Sequence, residues 1–251
     1  MRFRLTLAVL LWGTALSATS HPDSLFQAAN AFYAEGNYDA AIALYDSLLQ
    51  QGWEAPELHY NLGNAWFRKQ RLGPAILHYE RGLLLAPGDA DLRHNLAVAR
   101  SHCQDDFGTL SEFFLHRIWR SLLEALRADT WALIGLGLFW LGAAGWVLWL
   151  LGPSRIWRKR GFLAGSALLL LSVLPFSLAA SRAALERHSG AGIILVESVP
   201  LRSSPDEISQ TVVLLHEGTR VRLLSELGEW RKVRLSDGRE GWLPQGTFEE
   251  I

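Results

Sequence analysis

The chain has 251 residues, 49% of them hydrophobic, with 24 Lys plus Arg against 25 Asp plus Glu. So even a balance lacks the cation surplus needed to track a phosphate backbone, which argues against nucleic acid as a partner. The single cysteine, Cys103, excludes an intramolecular disulfide, a cysteine zinc knuckle and a CxxC redox pair.

Residues 1–20 open with Arg2 and Arg4, run through an apolar stretch from Leu5 to Ala18 and end on the small residues Ala18-Thr19-Ser20. That order predicts a secretory signal peptide. Its apolar run reaches about 21 Å as a helix, short of a ~30 Å hydrocarbon core. Cleaved or retained as an anchor, it places the residues that follow outside the cytoplasm.

Residues 21–106 contain a repeat. A shift of 34 residues superposes Asn30 on Asn64, Ala41 on Ala75, Tyr45 on Tyr79 and Asn61-Leu62 on Asn95-Leu96, with Ala29, Gly63 and Ala97 in the same register. This period, with small residues in the first helix and alanine then an aromatic in the second, resembles the tetratricopeptide repeat. The copy with Asn61-Leu62-Gly63-Asn64-Ala65-Trp66 and Pro87 is the closer one; the first has Trp53 where the family's closing proline stands. The spacing predicts helices over 23–34, 38–50, 56–70, 74–85 and 90–103, with Pro74 in a first turn, where a missing N–H costs nothing. Small residues are expected at close crossings and the tyrosines between layers. Two repeats and one closing helix fall short of the ~3 repeats that stack alone. A partner or the membrane-proximal helix is therefore expected to complete the core.

The resemblance implies a concave groove lined by the first helix of each repeat. Phe26, Asn30, Tyr33, Tyr60, Asn64, Phe67, Arg68, His94 and His102 fall on groove positions, an aromatic and amide surface suited to an extended or helical peptide. The family's carboxylate clamp is not reproduced. Asn30 and Asn61 stand at its asparagine positions, but Phe26, Asp91 and Asn95 replace its cations. For each aromatic, packing is the competing role.

From Leu110 to Leu126, apolar residues recur at helical spacing between Glu112, Arg117, Arg120 and Glu124. This amphipathic helix is expected either on the membrane interface or as a cap on the repeats. Residues 131–151 and 161–180 carry no charge and span about 31 and 30 Å as helices, so each matches a bilayer core. Arg155, Arg158, Lys159 and Arg160 cluster in the loop at 152–160, which the positive-inside rule assigns to the cytoplasm. Trp131, Trp149 and Trp157 suit the interfaces. Pro175 is expected to kink the second span, and spans without ionisable residues do not predict an ion pathway.

After a linker at 181–191, residues 192–251 show five short apolar runs, at 193–196, 212–215, 220–224, 231–235 and 241–243. Asp237-Gly238 marks a tight hairpin. With Leu201-Arg202-Ser203-Ser204-Pro205, Glu217-Gly218-Thr219 and Gly241-Trp242 in order, the segment resembles bacterial SH3-like domains and predicts a small all-β barrel. The tyrosine-rich polyproline motif is absent. Trp230 and Trp242 are the candidate surface residues for a peptide or cell-wall fragment, with packing as the competing role.

Neither HExxH, paired CxxC nor a Gly-rich phosphate loop occurs, and Cys103 beside His102 points elsewhere on a helix. The chain is therefore expected to be neither an enzyme nor a cofactor or metal binder. Signal peptide, tetratricopeptide repeats, two-helix membrane hairpin and SH3-like domain in this order, with SSPDE, LHEGT and DGREGWLP, resemble the BatE family of the Bacteroides aerotolerance (Bat) operon. The resemblance implies an inner-membrane scaffold with repeats and SH3-like domain in the periplasm. Its implied partners are other Bat membrane proteins with von Willebrand A domains, alongside a MoxR-type ATPase, in envelope or oxidative-stress tolerance. The second reading is a membrane module that binds or senses peptidoglycan through the SH3-like domain.

Overall fold

The computed structural model describes residues 22–108, 114–187 and 190–251, so the expected signal peptide lies outside the described residues. The repeats form α1 (Pro22–Ala34), α2 (Tyr38–Gln50), α3 (Pro56–Arg68), α4 (Leu72–Leu85) and α5 (Ala90–Ser101). Local chemistry fixes several of their starts. The Asn37 side chain accepts from Ala40 N at 3.3 Å, and Asp89 accepts from the amides of Asp91 and Leu92 at 2.9 and 3.0 Å. Each thereby pairs donors that a first turn leaves open. Pro56 opens α3, and Pro74 stands in the first turn of α4.

One core gathers Ala29, Ala41, Ile42, Tyr45, Leu48, Leu58, Leu62 and Ala65 from α1 to α3. A second gathers Ala75, Ile76, Leu77, Tyr79, Leu92, Leu96 and Ala99 from α4 and α5. Gly63 lies where α3 crosses α4, since a Cβ there would meet the Tyr79 ring at 2.5 Å. Ala97, in the same register, is exposed, since among the described residues no further repeat stacks on α5.

The C-terminal sheet has seven strands, two more than expected: β1 (Ala191–Ile194), β2 (Ser198–Arg202), β3 (Thr211–His216), β4 (Arg220–Leu227), β5 (Trp230–Arg234), β6 (Glu240–Pro244) and β7 (Phe248–Glu250). The order is β3-β2-β6-β5-β4-β1-β7, with every pairing antiparallel. Pro200 hides β2 from a sequence reading, because proline is scarce inside strands. Ile194, Val199, Leu201, Leu215, Val221, Val233, Leu235 and Leu243 fill the interior. Gly238, at φ +92°, makes the β5–β6 turn.

This domain, rather than a partner or the membrane-proximal helix, completes the second repeat core. Ile193 belongs to that core, and Leu195 and Ile251 pack on it. Accordingly, all four residues of β1 are buried. Contact is close enough that a Cβ at Gly73 would meet Ile194 O at 2.6 Å and one at Gly218 would meet Cys103 Sγ at 2.6 Å. Arg71 pairs with Glu217 at 3.0 Å and Arg81 with Glu249 at 2.8 Å. The segment after α5 straps across the barrel. Asp105 accepts from His216 N and Nδ1, both at 2.7 Å, and from Thr219 Oγ1 at 2.5 Å, while Arg239 stacks on Phe107 at 5.0 Å.

Helices α6 (Phe114–Ala125), α7 (Ala128–Leu151) and α8 (Arg155–Arg187) complete the chain, and α7 and α8 are each long and apolar enough to cross a membrane. They pair as a hairpin with Gly135 against Phe176, Gly142 against Leu169 and Gly145 against Gly165. The segment expected as a basic loop at 152–160 is non-helical only over 152–154. Gly152-Pro153 makes the reversal, and Arg155, Arg158, Lys159 and Arg160, good helix formers, open α8. The helix runs through Pro175 and also takes up most of the expected linker, ending at Arg187. Buried Arg182 donates to Leu83 O and Leu84 O at 3.3 and 2.9 Å, pairing carbonyls left open at the end of α4. Helix α6 packs on α8 rather than extending the repeat stack.

Candidate interaction surfaces

The residues expected to line the groove include a hydrogen-bonded ladder that repeats with the sequence. Asn30 Oδ1 accepts from Tyr45 OH at 2.5 Å and Asn61 Nδ2 at 3.0 Å; one repeat on, Asn64 Oδ1 accepts from Tyr79 OH at 2.7 Å and Asn95 Nδ2 at 2.8 Å. Burial pushes Tyr45 up to about 12 and raises Tyr79 as well, so both hydroxyls stay donors. The geometry gives Asn30 and Asn64 a structural task, tying helix to helix through Oδ1.

The aromatic groove residues are partly buried. Phe26 packs on Tyr45 at 5.9 Å, Tyr33 meets Tyr38 edge-on at 5.4 Å, and Phe67 meets His102 edge-on at 5.6 Å. Exposed Arg68 donates from Nε to Tyr38 OH at 3.0 Å, and His94 and His102 are exposed. Tyr60 lines a small acidic pocket with Pro56, Glu57, Asp89 and Asp91. Carboxylates thus stand by the first turns of α3 and α5, with Arg68 and His102 at their last turns.

Sequence reasoning missed a buried pair behind this face. His59 Nδ1 and His78 Nδ1 lie 3.1 Å apart, and His59 Nε2 lies 2.9 Å from Glu54 Oε2. Burial pushes both rings below their ordinary value of 6.5, with His59 and Arg81 adding to the effect at His78. The available signal is two histidines on facing helices of a recognisable repeat, His59 and His78.

On the outer face of the barrel, Trp242 stands in register with Arg202 on β2 and Lys232 on β5. Trp230 faces Leu227 and Pro244. Both tryptophans are partly buried, and among the described residues neither indole N–H has a hydrogen-bond partner. Glu240 binds Lys232 at 2.8 Å and Arg234 at 2.5 Å, while Arg202, in register with Trp242, donates to Ser209 O at 2.8 Å and Thr211 Oγ1 at 3.1 Å and has no carboxylate partner among the described residues. Cys103 is partly buried, and burial pushes its thiol up, away from the reactive thiolate. Among the described residues no His, Cys, Asp and Glu cluster is arranged to hold a metal.

Two families match this sequence. Residues 29–70 match the family described as TPR repeat, and residues 196–249 match the family described as bacterial SH3 domain. The chain is also similar to Intraflagellar transport protein 70A1 of Mus musculus, 34% identical over 70 residues. That similarity covers 26% of this chain and only 10% of the mouse protein. Residues 29–70 are therefore tetratricopeptide-repeat sequence and residues 196–249 a bacterial SH3-type domain, joined on one chain by a pair of long apolar helices.

Proposed function

We propose that the chain is a non-enzymatic membrane scaffold that binds protein partners through the groove of its repeats. The observation behind this reading is how the repeat surface is divided. The SH3-like domain covers α4, while Arg68, His94 and His102 remain exposed on α3 and at the end of α5. Both domain types are interaction modules, and holding two of them on one anchored chain raises effective concentration without tight individual sites. The cations that open α8 favour a cytoplasmic hairpin tip, hence a periplasmic location for both domains. The resemblance to the BatE family suggests the partners: inner-membrane proteins with von Willebrand A domains, beside a MoxR-type ATPase, in envelope or oxidative-stress tolerance.

Arg68→Glu with His94→Glu changes exposed residues and, although it removes the bond from Arg68 to Tyr38 OH, is expected to leave the repeats folded with unchanged helical content. Cross-linking in native membranes is expected to capture a von Willebrand A-domain membrane protein with the natural chain and to lose it with this variant. Capture retained by the variant overturns the groove as the binding face.

A second reading is supported by Trp242 between Arg202 and Lys232, with its indole N–H open. An anionic cell-wall fragment suits such a surface. On this reading the full chain in nanodiscs sediments with purified sacculi, and Trp242→Ala abolishes sedimentation.

A further inference from the structure

Helix α6 divides cleanly around its circumference. At about 100° per residue, Phe114, Leu115, Ile118, Trp119, Leu122 and Leu123 occupy one half, and Arg117, Arg120, Ser121 and Glu124 the other. One margin of the apolar half is closed over and the other remains largely exposed. Leu123 is 7% exposed, whereas Phe114, Leu115 and Ile118 are 59%, 55% and 52% exposed. Aqueous exposure of three large side chains on one helix face is costly and marks an interaction surface.

The position of the helix indicates what covers this face. It packs on α8, and only Leu126 and Arg127 separate its end from the start of α7. The outer end of the hairpin is marked on α8 by Arg182, which already reaches the repeat domain at Leu83 and Leu84. Helix α6 therefore sits where the apolar surface of the two spans gives way to the polar domains. Exposed apolar residues begin again on α7 at Leu133, Ile134 and Leu136.

We propose that α6 is an interfacial helix lying in the plane of the outer leaflet. Phe114, Leu115 and Ile118 enter the boundary between headgroups and acyl chains, and Arg117 and Arg120 face the lipid phosphates and water. This is the arrangement by which an amphipathic helix with a basic polar face binds a bilayer surface. It rests on the reading of α7 and α8 as a membrane hairpin. Its consequence is orientational: a third membrane contact beside the two spans fixes the tilt of the repeat and SH3-like domains above the bilayer.

The test uses the full chain in nanodiscs of phosphatidylethanolamine and phosphatidylglycerol. Cys103→Ser removes the native thiol, and an environment-sensitive fluorophore is attached through Ile118→Cys, Ser121→Cys or Leu141→Cys in turn. Quenching at Ile118 by a shallow doxyl lipid, at Leu141 by a deep doxyl lipid and at Ser121 by aqueous iodide supports the proposal. Iodide quenching at Ile118 equal to that at Ser121, with Leu141 still quenched by deep doxyl, overturns the interfacial placement but leaves the hairpin intact. Protection of Ile118 from both quenchers also overturns it, since protein rather than lipid then covers the face. Failure of doxyl quenching at Leu141 overturns the hairpin itself, and the proposal with it.

Discussion

Between His59 Nδ1 and His78 Nδ1, 3.1 Å apart, there is room for one proton. His59 Nε2 donates to Glu54, so the consistent neutral arrangement has His78 Nδ1 donating to His59 Nδ1. Charging His59 breaks that arrangement, because both Nδ1 atoms would then carry protons, and charging His78 places a cation in a buried site near Arg81. Because burial holds both rings below 6.5, the unfolded chain takes up protons before the folded one does. The sign follows: the contribution is complete above about pH 6.5 and declines as pH falls below it. Thermal unfolding across this window is expected to show falling stability, with a shallower slope for His78→Phe; an unchanged slope removes the pair as its cause. The ladder gives a second prediction at this scale. Asn64→Leu removes the acceptor of Tyr79 OH and of Asn95, stranding a buried hydroxyl, and is expected to cost about 1–3 kcal/mol in chemical unfolding. Those asparagines were visible in the 34-residue register. Their role was not, because a one-dimensional repeat gives a side chain's helix face but not which neighbouring helix it meets.

Elements show the same contrast. Helix positions and the two apolar spans follow from local signals, the period and uncharged length, and both were legible. Strand β2 was not, since Pro200 masks an otherwise alternating run. Nor was the docking of the barrel on α4, although β1 carried a sign of it. Its apolar run Ile193-Ile194-Leu195 does not alternate, as expected of a strand covered on both faces. Small residues are legible as a class but not by task. A Cβ at Gly145 in α7 would meet Gly165 Cα at 2.7 Å, whereas one at Gly137 has nothing within 4 Å. Gly145→Leu is therefore expected to separate the hairpin and Gly137→Leu to leave it intact. In nanodiscs, the check is a disulfide engineered between the two helices near their tip: it should be lost in the first variant only.

At the scale of the whole molecule, α4 is the hub. It packs on α3 and α5, its outer face receives β1, and its last carbonyls are bound by Arg182 from α8. A load on the second span therefore reaches the repeats through α4, and a load on the barrel reaches them there and through the strap after α5. The strap makes the coupling mutual, since Asp105 follows α5 in sequence but is spent on the barrel. Burial alone raises its carboxyl, yet the bonds from Thr219 and His216 outweigh burial and hold it below 3.8, so it stays charged and accepting. Asp105→Ala leaves His216 N–H and the Thr219 hydroxyl without that acceptor, at a cost on the order of 3 kcal/mol. If repeats and barrel are one cooperative unit, hydrogen exchange in this variant accelerates together in α4, α5, β1 and the β3–β4 turn. Acceleration confined to the β3–β4 turn, with α4 and α5 as protected as before, shows instead two units that merely touch.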